Sequence, residues 1–132
     1  MFDSIQVEFK NTKTWPSPFA DTKVVPFEQN YLEVLKKVVQ DVKTEYFWFF
    51  ANFINMKTID VDFIPPSGDI EMHVWYNTHP KGGTNKEGNV FLIPTEKFKD
   101  QCNNIKLLKD FSSIQYYAHN NLFQNIITKT AF

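Results

Sequence analysis

Four side chains capable of acid, base or metal chemistry alternate along two neighbouring segments: Asp60 and Asp62 in 58–64, Glu71 and His73 in 70–76. Apolar residues fill the positions between them, Ile59, Val61 and Phe63 in the first segment, Met72 and Val74 in the second. Such alternation belongs to strands with one buried face. The joining residues Pro65-Pro66-Ser67-Gly68-Asp69 have the composition of a turn, so the two segments are expected to form a β-hairpin. Making the apolar faces coincide sets the register, because a one-residue slip would turn one arm inside out. Asp60 then opposes His73, and Asp62 opposes Glu71. Opposed carboxylates repel unless a proton, a lysine or a metal ion offsets them. A divalent cation held by Asp60, Asp62 and His73 is one solution; an acidic face screened by water is the other.

Other residues extend this surface. His79 opens the run His79-Pro80-Lys81-Gly82-Gly83, where imidazole, ammonium and a flexible backbone could meet a phosphate. The run lacks the glycine spacing and terminal Lys-Ser/Thr of a P-loop, and it also reads as an ordinary surface loop. His73 has a purely structural alternative as well, a hydrogen bond to Asp60 that fixes the sheet. Trp75, at the edge of the charged face, and Trp15, beside Pro16, could stack a base or a sugar. Packing of the loop against the hairpin accounts for the same two residues. Trp48 lies in an apolar run and reads as core. Cys102 sits on an apolar helical stripe without a second cysteine, as a buried core thiol does. No G-x-S-x-G elbow is present.

The elements that must position these residues follow from periodicity. Residues 5–9 alternate as a strand, and 11–26 is a proline-rich loop stiffened by Pro16 and Pro18. From 27 to 42 the pattern becomes helical: Tyr31, Val34, Leu35, Val38, Val39 and Val42 form one stripe, and Pro26 suits the first turn. The run 46–51, Tyr-Phe-Trp-Phe-Phe-Ala, has no polar face and is expected to be a central strand buried on both sides; continuation of the preceding helix is the alternative. A mobile loop is expected over 79–88 and a short strand over 90–93. A helix capped by Thr95 follows, with Phe98, Cys102, Ile105 and Leu108 as its buried stripe. A strand at 114–118 and an element near 122–127 complete the chain. The fold class is α/β: a single compact domain over 1–132 with a mixed sheet of about five strands and two principal helices.

Composition bounds the function. The 132 residues suit one domain, and 42% hydrophobic with 17% aromatic supplies a sizeable core. Lysine provides every one of the 14 cations against 15 acids, for a net charge of −1. A nucleic-acid groove normally carries positive charge and arginine forks, so direct nucleic-acid binding is not expected. The start MFDSIQVEFK shows no signal peptide, and no apolar run is long enough to span a bilayer.

The segments KTEYFWFFANFI (43–54), IDVDFIPPSGDIEMHVWYN (59–77) and GNVFLIPTEKF (88–98) resemble a family of uncharacterised phage domains related to GT-A-type glycosyltransferases. The resemblance rests on Thr44 to Trp48, His73 to Trp75, Gly88, and Val90 to Thr95. It implies a GT-A-like fragment, located in the host cytoplasm during infection or in the phage particle. Where the family strand ends in an Asp-x-Asp-like cluster, this chain has Ala51-Asn52-Phe53-Ile54-Asn55, and amides lack the charge that holds a hard cation. The resemblance therefore implies an accessory or ligand-recognition module without efficient sugar transfer. Its expected ligand surface is Asn52, Asn55, Asp60, Asp62, His73, Trp75 and His79, and its partners a sugar, a nucleotide sugar, or a host or phage protein. One alternative is a metal-dependent glycosyltransferase or phosphate-ester enzyme using manganese or magnesium at Asp60, Asp62 and His73. Another is a structural or inhibitory protein-binding module.

Overall fold

The all-apolar run at 46–51 is strand β3 (Tyr46–Ala51), buried at every position, as expected of a strand covered on both faces. The computed structural model describes residues 1–10, 12–78, 84–119 and 131–132, with backbone alone at 77–78, 84–89 and 119. Around β3 lie β1 (Asp3–Glu8), β2 (Thr22–Pro26), β4 (Met72–Thr78), β5 (Thr84–Pro94) and β6 (Ile114–His119), with helices α1 (Tyr31–Val38) and α2 (Thr95–Gln101). The six strands form one mixed sheet in the order β2-β1-β3-β5-β4-β6. β5 runs antiparallel to its neighbours β3 and β4, while β1 pairs in parallel with β2 and β3, and β4 with β6. Five strands thus point one way and β5 alone points back. No described helix is long and apolar enough to cross a membrane.

The sheet has two differently covered faces. Odd-numbered residues of β3 meet the helices: Tyr31 of α1 stands edge-on to Phe49 at 5.0 Å and to Phe91 at 5.7 Å, and Phe98 of α2 meets Phe47 at 6.1 Å. Even-numbered residues face loops instead. Phe19, from the proline-rich loop, lies 5.8 Å from Trp48 and 6.0 Å from Phe50, while Trp48 meets Trp75 of β4 at 5.3 Å. On this second face β1 contributes the buried polar residues Ser4 and Gln6, in register with Trp48 and Phe50.

Local chemistry explains where the elements differ from the periodic reading. Helix α1 begins at Tyr31 rather than at 27, because Asn30 is extended and its Oδ1 accepts the Glu33 N–H at 2.9 Å. Its expected continuation to Val42 tightens into a 3₁₀ turn, Val39–Asp41. The last five residues of the expected loop at 11–26 form β2, where Pro26 is tolerated because it ends an edge strand. Thr95 does not cap α2. Pro94 holds that position, and the Thr95 hydroxyl donates to the Thr44 carbonyl at 2.8 Å, tying the helix to the entrance of β3. The expected loop at 79–88 is strand from Thr84 onward, with 79–83 outside the described residues. The expected stripe outruns its helix: α2 ends at Gln101, Cys102 is buried as its C-cap, Leu108 is buried in a separate 3₁₀ turn (Leu108–Asp110), and Ile105 is only half-buried. The element near 122–127 lies outside the described residues.

Candidate functional site

The hairpin between 58–64 and 70–76 does not form. β4 is flanked by β5 on one side and β6 on the other, so no edge remains for 58–64 to pair with. That segment instead follows the 3₁₀ turn Met56–Thr58 and a turn in which Asp60 Oδ1 accepts the Asp62 N–H at 3.0 Å. Asp60 and Asp62 are exposed in this loop and oppose neither His73 nor Glu71.

A different carboxylate meets His73. The turn at 65–68 reverses through Gly68, whose φ of 83° strains any side-chain-bearing residue, and closes with the Asp69 N–H on the Pro66 carbonyl at 3.0 Å. It delivers Asp69 to the start of β4. There Asp69 Oδ1 accepts three hydrogen bonds: from the Glu71 N–H at 2.8 Å, from the Tyr46 hydroxyl at 2.9 Å, and from His73 Nε2 at 3.0 Å. The Tyr46 hydroxyl also donates to the Asp69 carbonyl at 2.6 Å. On the far side of the imidazole, His73 Nδ1 lies 2.8 Å from the Tyr117 hydroxyl on β6. His73 is only 1% exposed, walled by Phe63 at 5.3 Å and by the Tyr117 ring at 5.7 Å.

Electrostatics set the charge state of the groups around the imidazole. Burial pushes the Asp69 carboxyl up, but the Glu71 N–H, the Tyr46 hydroxyl and His73 outweigh it and hold the group below its usual value. Burial, then the hydrogen bond and charge of Asp69, push Tyr46 far upward, so it stays a neutral donor. Tyr117 is raised by burial and by the charges of Asp69 and Glu71. The ionised Asp69 carboxylate thus sits against His73 Nε2, and the Tyr117 hydroxyl against Nδ1.

Asp69, Glu71 and His73 bring three ligand atoms within 4.8 Å of one another. The Glu71 carboxylate makes no hydrogen bond or ion pair among the described residues. Adjacent ligands of an octahedral ion at about 2.1 Å lie about 3.0 Å apart, which is the separation of Asp69 Oδ1 from His73 Nε2. The same contact therefore accommodates a hydrogen or an ion. Asp69, Glu71 and His73 would hold such an ion, and the Tyr117 hydroxyl would be the outer partner that orients the imidazole.

The remaining expected residues lie elsewhere. Asn52 is 1% exposed, and its amide is fully engaged: Oδ1 accepts the Phe9 N–H at 3.0 Å, and Nδ2 donates to the Phe9 carbonyl at 3.2 Å and to Thr14 Oγ1 at 2.9 Å. Asn55 caps the turn Met56–Thr58 through the Lys57 N–H at 3.1 Å. Trp75 packs between Tyr117 at 4.9 Å, Phe63 and Trp48, leaving it 9% exposed. His79 lies outside the described residues. Asp69, Tyr46 and Tyr117 were missed by the periodic reading. The signal for Asp69 was present in Asp69-x-Glu71-x-His73, whose spacing lines one face of an extended chain. Reading Asp69 as part of the turn concealed it. Compared with protein-family models, curated proteins and solved structures, the chain gives no match in any of the three.

Proposed function

We propose that this domain binds a divalent metal ion through Asp69, Glu71 and His73 and uses it to engage a phosphate ester, as a metal-dependent glycosyltransferase or phosphate-ester enzyme would. The observation that carries the reading is the convergence of the three ligand atoms within 4.8 Å at a nearly enclosed imidazole. One nitrogen and two carboxylate donors suit manganese, iron or zinc better than calcium or magnesium. The ion's chemistry would be charge neutralisation at a phosphoryl or diphosphate group. The protein's own part is to hold Asp69 ionised through Tyr46 and to orient His73 through Tyr117. The substrate class, a sugar joined to a nucleotide diphosphate, comes from the sequence resemblance to GT-A-related phage domains; the metal site rests on geometry alone.

Calorimetric titration of chelator-treated protein with manganese and zinc tests the site. One ion per chain is expected, with affinity lowered at least about tenfold by Asp69→Asn or Glu71→Gln and unchanged by Asp60→Asn or Asp62→Asn. Equal binding by the Asp69 variant and the parent would overturn the metal centre. Release of nucleotide from a panel of nucleotide sugars, with manganese present, then tests the substrate class separately.

A further inference from the structure

At the other end of the loop-covered face, a groove of about 440 Å³ separates the proline-rich loop from the segment after β3. Trp15, Pro16 and Pro18 form one wall, and Met56, Ile59 and Val61 the other. It is pre-formed rather than a gap between loose loops. The Trp15 N–H donates to the Asn52 carbonyl at 2.8 Å, and Gln6 Nε2 donates to the Trp15 carbonyl at 3.2 Å, so one wall is pinned to β1 and to the end of β3. The other wall is closed by the Ile59 N–H on the Met56 carbonyl at 3.1 Å.

Two polar features distinguish this groove from a bare apolar patch. The Trp15 indole N–H is buried without a hydrogen-bond partner among the described residues, a state proteins seldom leave uncompensated. Lys57 lines the groove and is exposed, with no ion pair among the described residues. The Lys13 ammonium, 4.0 Å from the centre of the Trp15 ring, holds that ring from outside the groove lining. Among the described residues no carboxylate lines the groove; Asp60 and Asp62, which flank Val61 in sequence, are not among its walls.

We infer that this groove binds a small amphipathic anion, an organic carboxylate with a flat or branched apolar body, whose body fills the space between Trp15, Pro18 and Ile59 and whose charge meets Lys57. Its volume falls in the range of small-molecule sites, whose few polar groups orient an otherwise apolar ligand. The inference is independent of the metal centre, since no residue is shared between the two.

The test uses 2-naphthoate and its neutral isostere 2-naphthamide, followed by amide and indole ¹H–¹⁵N spectra of the full chain. Three indole N–H signals are expected, and Trp15→Phe identifies one of them. Naphthoate should shift the Trp15 indole signal and leave those of Trp48 and Trp75 in place. Lys57→Gln, an exposed change that leaves the fold intact, should weaken naphthoate about fivefold and leave naphthamide unaffected. Equal affinity for naphthoate and naphthamide would overturn the anionic ligand class. Saturation with naphthoate that leaves the Trp15 signal unmoved would overturn the site.

Discussion

The two faces of the sheet obey different rules. The face beneath α1 and α2 is sealed by rings meeting edge-on, Tyr31 on Phe49 and Phe91, and Phe98 on Phe47. Helices satisfy their own backbone groups, so they can present side chains alone to a sheet, and the contact is mostly apolar. The opposite face is covered by segments without regular structure, whose backbone groups need partners. Accordingly it carries Gln6 bonded to the Trp15 carbonyl, Asn52 bonded to Phe9 and Thr14, and the Tyr46 hydroxyl bonded to Asp69. Polar groups recruited to hold loops are also groups that can hold a ligand. Both the candidate metal site and the groove therefore lie on the loop-covered face, and neither lies under the helices.

The sharpest break of this contrast is expected from core truncation. Phe49→Ala should destabilise the domain by about 3–5 kcal/mol in urea unfolding, through the lost transfer energy and the cavity beneath Tyr31. A loss below about 1.5 kcal/mol would show that the helix face repacks and is not the rigid half.

Asn52→Ala addresses the loop face. It leaves the Phe9 N–H without its side-chain acceptor, and a loss of about 2 kcal/mol is expected. The loss should be local. Amide exchange should accelerate at Phe9 and Trp15 and remain slow at Phe49. Equal acceleration at Phe49 would mean that the two faces unfold as one unit.

Smaller effects concern Asp69. Tyr46→Phe deletes one donor to its carboxylate, and a loss of about 1 kcal/mol is expected. Because Asp69 is held below the ordinary value of 3.8 in the folded state, its contribution is present above that value and is lost as pH falls through the lower folded one. Acid unfolding followed by circular dichroism should begin at higher pH in Tyr46→Phe than in the parent. Coincident acid transitions would show that Tyr46 does not support the ionised carboxylate.

Several of these features were already determined by local sequence. The alternation of 70–76 made β4 legible, the ring-rich run made β3 legible as a buried strand, and the spacing of Tyr31, Leu35 and Val38 made α1 legible, because each pattern states which side must leave water. Asn30 as a cap and Cys102 as core depend on neighbours within a few residues. Pairing is another matter. Residues 58–64 alternate as well as 70–76 do, yet they form no strand, because β5 and β6 occupy both edges of β4 and both come later in the chain. Periodicity reports a face that seeks burial; it does not report which edge is still open. The same gap hid the site. The residues 69–73 carried their ligands in plain order, but Tyr117, 44 positions from His73, reaches it only because β6 returns beside β4. Tyr46 reaches Asp69 because β3 begins at the same end of the sheet. Sequence determined the chemical groups and their local faces, whereas the order of strands, a property of the whole chain's competition for hydrogen-bonding edges, decided which groups meet.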